Sequence, residues 1–315
     1  MRSGFVLCAS LACALLSSAF TASAAGAPSA DIAARDLKTS DFPRWQQLVP
    51  NVYAYEGLHS PDRDGTVINT VSMIVVTPQG VVVLDGQGDL EQTKAMIANI
   101  RKLSPQPIKY VVIASDHTDH VGGNAAFKEA YPDVVFIASP ASQKVLAQKG
   151  HPAMETVSDR RTLRLGNTEI QVMNLGRAHT GGDLVAYLPD SKVLFLGEVY
   201  LRGVFPAMRT AYPSEWLATI DKAQKMDVSW YVPGHGFVDT ETSMRIDLEE
   251  SKKALAHVIA EAKRLHAAGR PCESAANCPA AREAQWGPYA DYALSTSQGP
   301  LAIAKVYQEL EGRLP

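Results

Sequence analysis

The chain has 315 residues, 46% of them apolar and 20% charged, with 30 lysines and arginines against 33 aspartates and glutamates and a formal net charge of −3. Nothing in that balance favours nucleic acid, since there is no basic stripe and no interleaved aromatic run. No fixed-period repeat of the solenoid kind is visible either.

Arg2 precedes an Ala- and Leu-rich stretch from Phe5 to about Phe20, and Thr21-Ala22-Ser23-Ala24 has the small residues of an A-x-A cleavage site. Residues 1–24 are therefore expected to be a secretory signal peptide, with an apolar span too short for a membrane anchor. That predicts a periplasmic or secreted chain, with no membrane association once the signal is cleaved. Cys8 and Cys13 fall inside the stretch, so no cysteine stands at the cleavage point to carry a lipid. About 290 residues remain, enough for one large domain or one domain with an extension. The two remaining cysteines, Cys272 and Cys278, are an even pair at short spacing, and in an exported chain such a pair is expected to close a disulfide.

Residues 25–44 read as a linker. Strands are expected at 52–55, 67–77 and 80–85, the last two joined by the turn Thr77-Pro78-Gln79-Gly80. Asp89 to Leu103 has helical spacing, with Leu90, Met96, Ile97, Ile100 and Leu103 on one face and Asp89 as the cap. A strand at 108–114, a helix from about Val121, a strand at 134–138 and a helix at 141–149 complete a β/α half. A second half follows, with short strands at 162–165, 170–175, 184–188 and 192–196, a helix from Pro213 and a strand at 230–232. From Thr242 a long helix runs to about Ala268, with Leu248, Leu255, Val258, Ile259, Ala262 and Leu265 inward and Gly269 at its end. A last helix is expected near 299–314. Residues 241–315 thus form a C-terminal helical extension that holds the cysteine loop.

Four strand ends carry candidate ligands. After the strand at 108–114 comes Ser115-Asp116-His117-Thr118-Asp119-His120, which read alone is either a metal site or a helix start with Asp119 as its N-terminal acid. His179 follows the strand at 170–175, Glu198 follows Leu196-Gly197, and His235 stands between two glycines after the strand at 230–232. Imidazoles and carboxylates gathered at strand ends suit zinc and its neighbours. Four such loops argue for one shared site.

The order of these motifs resembles the metallo-beta-lactamase fold superfamily, over about residues 45–240. The resemblance implies a four-layer αββα sandwich with the ligand loops along one edge. It also implies one or two Zn2+ ions. Asp85, in Val82-Val83-Leu84-Asp85-Gly86, matches the early acid that supports the ligands from behind. His117 and His179 match two ligands of a first zinc position, and Asp119, His120 and His235 match those of a second. Glu198 falls where the family usually has an Asp or a Cys.

Two positions depart from the family pattern. Ser115 replaces the first histidine of H-x-H-x-D-H, and a hydroxyl is a far weaker zinc ligand than imidazole. Glu198 adds a methylene, so it is expected to bind from a retracted backbone or to ligate one metal only. The resemblance implies an exported zinc-dependent hydrolase of an ester, lactone, amide or β-lactam bond, with metal-activated water as nucleophile, Asp119 orienting it and a small-molecule substrate. The alternative from another class is a non-catalytic metal- or cofactor-binding accessory protein with a degenerate site, as in a quinoprotein system.

The remaining polar residues are less specific. His59 and Asp62 read first as solvated loop residues and second as cleft contacts, and His151 has the same standing; Arg209 and Tyr212 are weaker candidates for cleft contacts. His257 and His266 lie nine residues apart on the long helix and read as packing or surface residues.

Overall fold

The structure, a computed structural model, describes residues 29–60, 65–151 and 154–315. The expected signal peptide and Asp62 therefore lie outside the described residues. Among those described, no helix is long and apolar enough to cross a membrane.

Strand β1 (Arg44–Val49) pairs antiparallel with β2 (Val52–His59), and β2 pairs along its length with β3 (Ile68–Thr77), which turns back into β4 (Gly80–Leu84). Pairing then becomes parallel. Helix α1 (Leu90–Leu103) carries the chain to β5 (Ile108–Val112), and α2 (Thr118–Val121) and α3 (Ala125–Ala130) carry it to β6 (Val135–Ala138). Parallel neighbours need such crossovers. Asp89 starts α1 as expected, accepting a hydrogen bond from Gln92 N at 2.8 Å. Helix α4 (Pro140–Gln148) leads to the short edge strand β7 (Glu155–Thr156).

The second half begins with the antiparallel run β8 (Arg160–Leu165), β9 (Thr168–Met173), β10 (Val185–Leu188) and β11 (Val193–Leu201). Helix α5 (Pro213–Gln224) then returns the chain to β12 (Trp230–His235), parallel to β11. The strand order is β7-β6-β5-β4-β3-β12-β11-β10-β9-β8, and the halves join through the pairing of His235 with Thr70.

Strand alternation assigns each side chain to a layer. Val81, Val83, Val111, Ile113 and Phe136 pack against Met96, Ile97 and Ile100 of α1 and Phe127 of α3. The intervening Val82, Leu84, Val112 and Ile137 belong to the larger core, with Leu163, Ile170, Val172 and Leu194 from the second half. That core continues into α5, α6 (Glu241–Ala267) and α7 (Ser295–Leu310), so helices cover both outer faces of the paired sheets. The result is the expected αββα sandwich with C-terminal helices.

Three details differ from the sequence reading. Strand β1 begins at Arg44, the last residue read as linker, and has no counterpart among the expected strands, because Gln46 and Gln47 dilute its apolar pattern. Strand β11 continues past Leu196 to Leu201, through an irregularity at Gly197, where φ is +53°. Helix α7 begins at Ser295. Helix α6 buries the inner face foreseen for it, Leu248, Leu255, Val258, Ile259, Ala262 and Leu265, and Cys272 and Cys278 are disulfide-bonded.

Candidate metal centre

The candidate ligands converge beyond the ends of β4 and β5, at the end of β12 and within β11 at Glu198, with His179 brought in by the loop between β9 and β10. Asp85, just past β4, adopts the left-handed conformation at φ +58° and is fully buried. Its Oδ1 accepts from Ala114 N at 2.6 Å, and its Oδ2 lies 3.0 Å from His120 Nδ1. The contact is an ion-pair approach and not a completed hydrogen bond, since both atoms are buried without a hydrogen-bond partner among the described residues; it turns His120 Nδ1 toward the carboxylate and Nε2 toward the site. His235 is fixed in the same sense, since its Nδ1 lies 2.7 Å from the carbonyl of Asn69. Asn69 also accepts from Gly236 N through Oδ1 at 2.8 Å, and its amide donates to Glu56 at 2.9 Å.

The consequence is a cluster of acceptors. His120 Nε2 and His235 Nε2 stand 3.2 Å apart, and Asp119 Oδ2 lies 3.4 Å from the first and 3.0 Å from the second. Glu198 Oε1 closes the group at 3.7 and 3.4 Å from the same nitrogens. Lone pairs held this close repel one another unless a cation sits among them. Two imidazole nitrogens and two carboxylates are a donor set that zinc accepts, and the residues present fit it.

A second group shares Glu198. Its Oε2 lies 3.2 Å from His117 Nδ1 and 3.0 Å from His179 Nδ1. His117 Nε2 is 2.9 Å from Thr210 Oγ1, which itself donates to the carbonyl of His179 at 3.1 Å, so Nε2 carries the His117 proton and Nδ1 its lone pair. His179 Nδ1 is buried without a hydrogen-bond partner among the described residues. Ser115 turns its hydroxyl onto Glu198 Oε2. Of the two readings of its length, a retracted backbone or a single group, the second is not what is found: Glu198 faces both groups. The extra methylene and the irregularity at Gly197 let one oxygen face each group.

The electrostatics follow from crowding in a buried place. Burial favours the neutral form of each group, but at Asp119 the charge of His120 and the contact with His235 outweigh it and hold the carboxyl below the usual carboxylate range. Glu198 is held well below that range against burial by His179, His117 and His120. Burial would lower His120, yet Asp119, Glu198 and Asp85 raise it well above its ordinary value. His117 is raised against burial chiefly by Glu198, and His235 is raised to about 9 against burial by Asp119 and Glu198. At His179 burial wins and the pKa is lowered.

A cleft of about 250 Å³ opens in front of both groups. His59 lines it, which corrects its reading as a solvated loop residue. It is the last residue of β2, 3.8 Å from Asp119 Oδ2 and stacked on His235, and burial pushes its pKa down to about 4. The strand pairing of His59 with Ile68, invisible in one polar loop of sequence, is what places it. Arg209 also lines the cleft. Tyr212 does not; it stacks on Arg177 at the start of α5. His151 lies on a separate cleft with Lys128 and Phe136. Both helix histidines pack as expected, His257 on Gln285 and Tyr289, His266 against Glu311 and Tyr307. Thr210 and Asn69 gave no signal in the sequence, because their roles depend on long-range contacts.

The chain belongs to the metallo-beta-lactamase superfamily, whose family model matches residues 65–235. It is 28% identical over 200 residues to a metallo-beta-lactamase type 2 of Bacillus sp. (strain 170), covering 61% of this chain and 76% of that one. A metallo-beta-lactamase type 2 of Elizabethkingia meningoseptica is 25% identical over 210 residues, 65% of this chain and 83% of the relative. Among solved structures, a metallo-beta-lactamase from Pontibacter korlensis superposes with a TM-score of 0.60 at 23% identity, over 68% of this chain and 98% of that one.

Proposed function

We propose that the protein is an exported zinc-dependent hydrolase acting on the ester, lactone, amide or β-lactam bond of a small molecule. The observation that carries the reading is the pair of Nε2 lone pairs, 3.2 Å apart, with Asp119 beside both and each ring turned by a partner behind it. Asp119, His120, His235 and Glu198 would hold one zinc, and His117, His179 and Glu198 a weaker second. Zinc bound there supplies Lewis acidity and makes water a nucleophile near neutral pH.

The chain's own groups do the rest. Asp119, kept ionised and facing the cleft, accepts a hydrogen bond from the attacking water, orients it, and passes its proton to the leaving group. His59, neutral at pH 7, stands at the cleft wall as a hydrogen-bond partner for substrate. Membership of the family and the donor set support this reading, and the Cys272–Cys278 disulfide suits the oxidising compartment to which residues 1–24 would direct the chain.

Elemental analysis of chelator-free protein beside His120→Ala tests it. About one zinc per chain should survive gel filtration, a second should bind only with added zinc, and His120→Ala should lose the first. Ser115, committed to Glu198, favours the second reading, a metal-binding protein without turnover. Zinc retained with no hydrolysis across ester, lactone and β-lactam probes would select that reading, and absence of zinc would sink the first.

A further inference from the structure

The loop that carries His179, between β9 and β10, has no regular structure of its own. It is held by the segment that leads into α5. Lys222 Nζ donates to Leu175 O at 2.6 Å, Thr219 Oγ1 to Arg177 O at 3.0 Å, Tyr212 N to Ala178 O at 2.9 Å and Thr210 Oγ1 to His179 O at 3.1 Å. Arg177 Nε adds a contact with Glu215 Oε2 at 2.9 Å. At Gly176, where φ is +137°, a Cβ would stand 2.7 Å from Thr219 Oγ1, so glycine is what lets the loop lie this close.

The His179 ring is placed by the same segment. It stands edge-on to Trp216 with centroids 5.3 Å apart, and Trp216 is itself fixed by Nε1 donating to Val199 O at 2.9 Å. Thr210 reaches a second ring. Its hydroxyl has one proton, spent on His179 O, so at 2.9 Å it accepts from His117 Nε2. One hydroxyl thus ties the backbone of one candidate ligand to the ring of the other. The two rings meet edge to face at 4.7 Å, and their Nδ1 atoms converge on Glu198 Oε2. Ser115 adds no imidazole to this group, so fewer side chains define it and their support from behind counts for more.

We infer that Thr210 is a positioning residue which, with the segment leading into α5, preorganises His117 and His179 to take a divalent cation with Glu198 and so offsets the imidazole missing at Ser115. This rests on the second group taking a metal ion, as proposed above, and not on turnover. Cobalt(II) titrated into the chelator-treated full chain, followed by visible absorption, tests it. The natural protein should fill in two classes, a tight one at Asp119, His120, His235 and Glu198 and a weaker one at His117, His179 and Glu198. Thr210→Val keeps the side chain's shape and removes its hydroxyl. It should weaken the second class about 10-fold, the low end of what losing an outer hydrogen bond costs a metal site, and leave the first unchanged. Thr210→Ser should restore the second class.

Thr219→Val, which loosens the loop without touching either ring, should weaken the same class, and serves if Thr210→Val does not fold. An unchanged second class in these valine variants, equal weakening of both classes, failure of Thr210→Ser to restore binding, or a natural chain that takes a single cobalt ion would each overturn the inference. Failure of the hydrolase reading would show separately, as two cobalt classes that respond as expected in a protein that hydrolyses nothing.

Discussion

Three histidines of the site, His117, His120 and His235, are set by what stands at their other nitrogen. Asp85 behind His120 and the Asn69 carbonyl behind His235 leave the Nε2 atoms as acceptors, and without a metal only protons can relieve their crowding. This has a measurable sign. His235 has an ordinary pKa of 6.5 and is raised to about 9 in the folded chain. The stabilisation from its proton is therefore complete below about pH 6.5 and is lost as pH rises through about 9. Melting scans of chelator-treated protein should show the transition temperature falling across that window. Zinc must displace the same protons, so its affinity should climb over the same range. A chelated protein that grows more stable from pH 6.5 to 9 would contradict the crowding. At this scale the sequence was informative about which side chains gather and silent about direction. His117, Asp119, His120, His179, Glu198 and His235 stand out by residue type at or beside apolar strand runs, whereas Thr210 acts through one common hydroxyl and Asn69 of β3 through a backbone carbonyl, which no residue type reveals.

Elements were legible where their pattern was strong. The valine runs of β3, β4 and β5 and the 3.6-residue periodicity of α1 and α6 announce themselves, because burial on one or both faces demands them. Strand β1 was hidden by its glutamines, and the tail of β11 by Gly197, which reads as a loop residue. Gly197 instead marks where β11 and β12 approach too closely for side chains. A Cβ on Gly234 would lie 2.6 Å from Gly197 C and 2.8 Å from Glu198 N. Gly234→Ala should therefore push β11 aside at Glu198, destabilising the fold by about 1–3 kcal/mol. Denaturant titration and zinc content measured together check this, and loss of stability with full zinc content would show that Glu198 is not displaced.

At the scale of the whole molecule, the C-terminal helices share a core with the sandwich. Leu255, Val258, Ile259, Ile303 and Val306 belong to the same cluster as Val193, Leu194 and Phe195 of β11. A chain that stops at Thr240 would leave that face of the second sheet bare. It should give no cooperative melting transition and should aggregate, as light scattering would report; a monomeric, sharply melting fragment would show the helices to be dispensable. The pairing of His235 with Thr70, where β12 meets β3, carries one further consequence. It is the place where two half-molecules are stitched, and the candidate ligands are drawn from both: Asp119 and His120 from the first, Glu198 and His235 from the second. A cation bound there would act as a rivet across the stitching. The halves would then resist separation in proportion to the logarithm of free metal over its dissociation constant. Metal supply would thus set mechanical integrity together with chemistry, and a chain starved of zinc would part first along the line between β3 and β12.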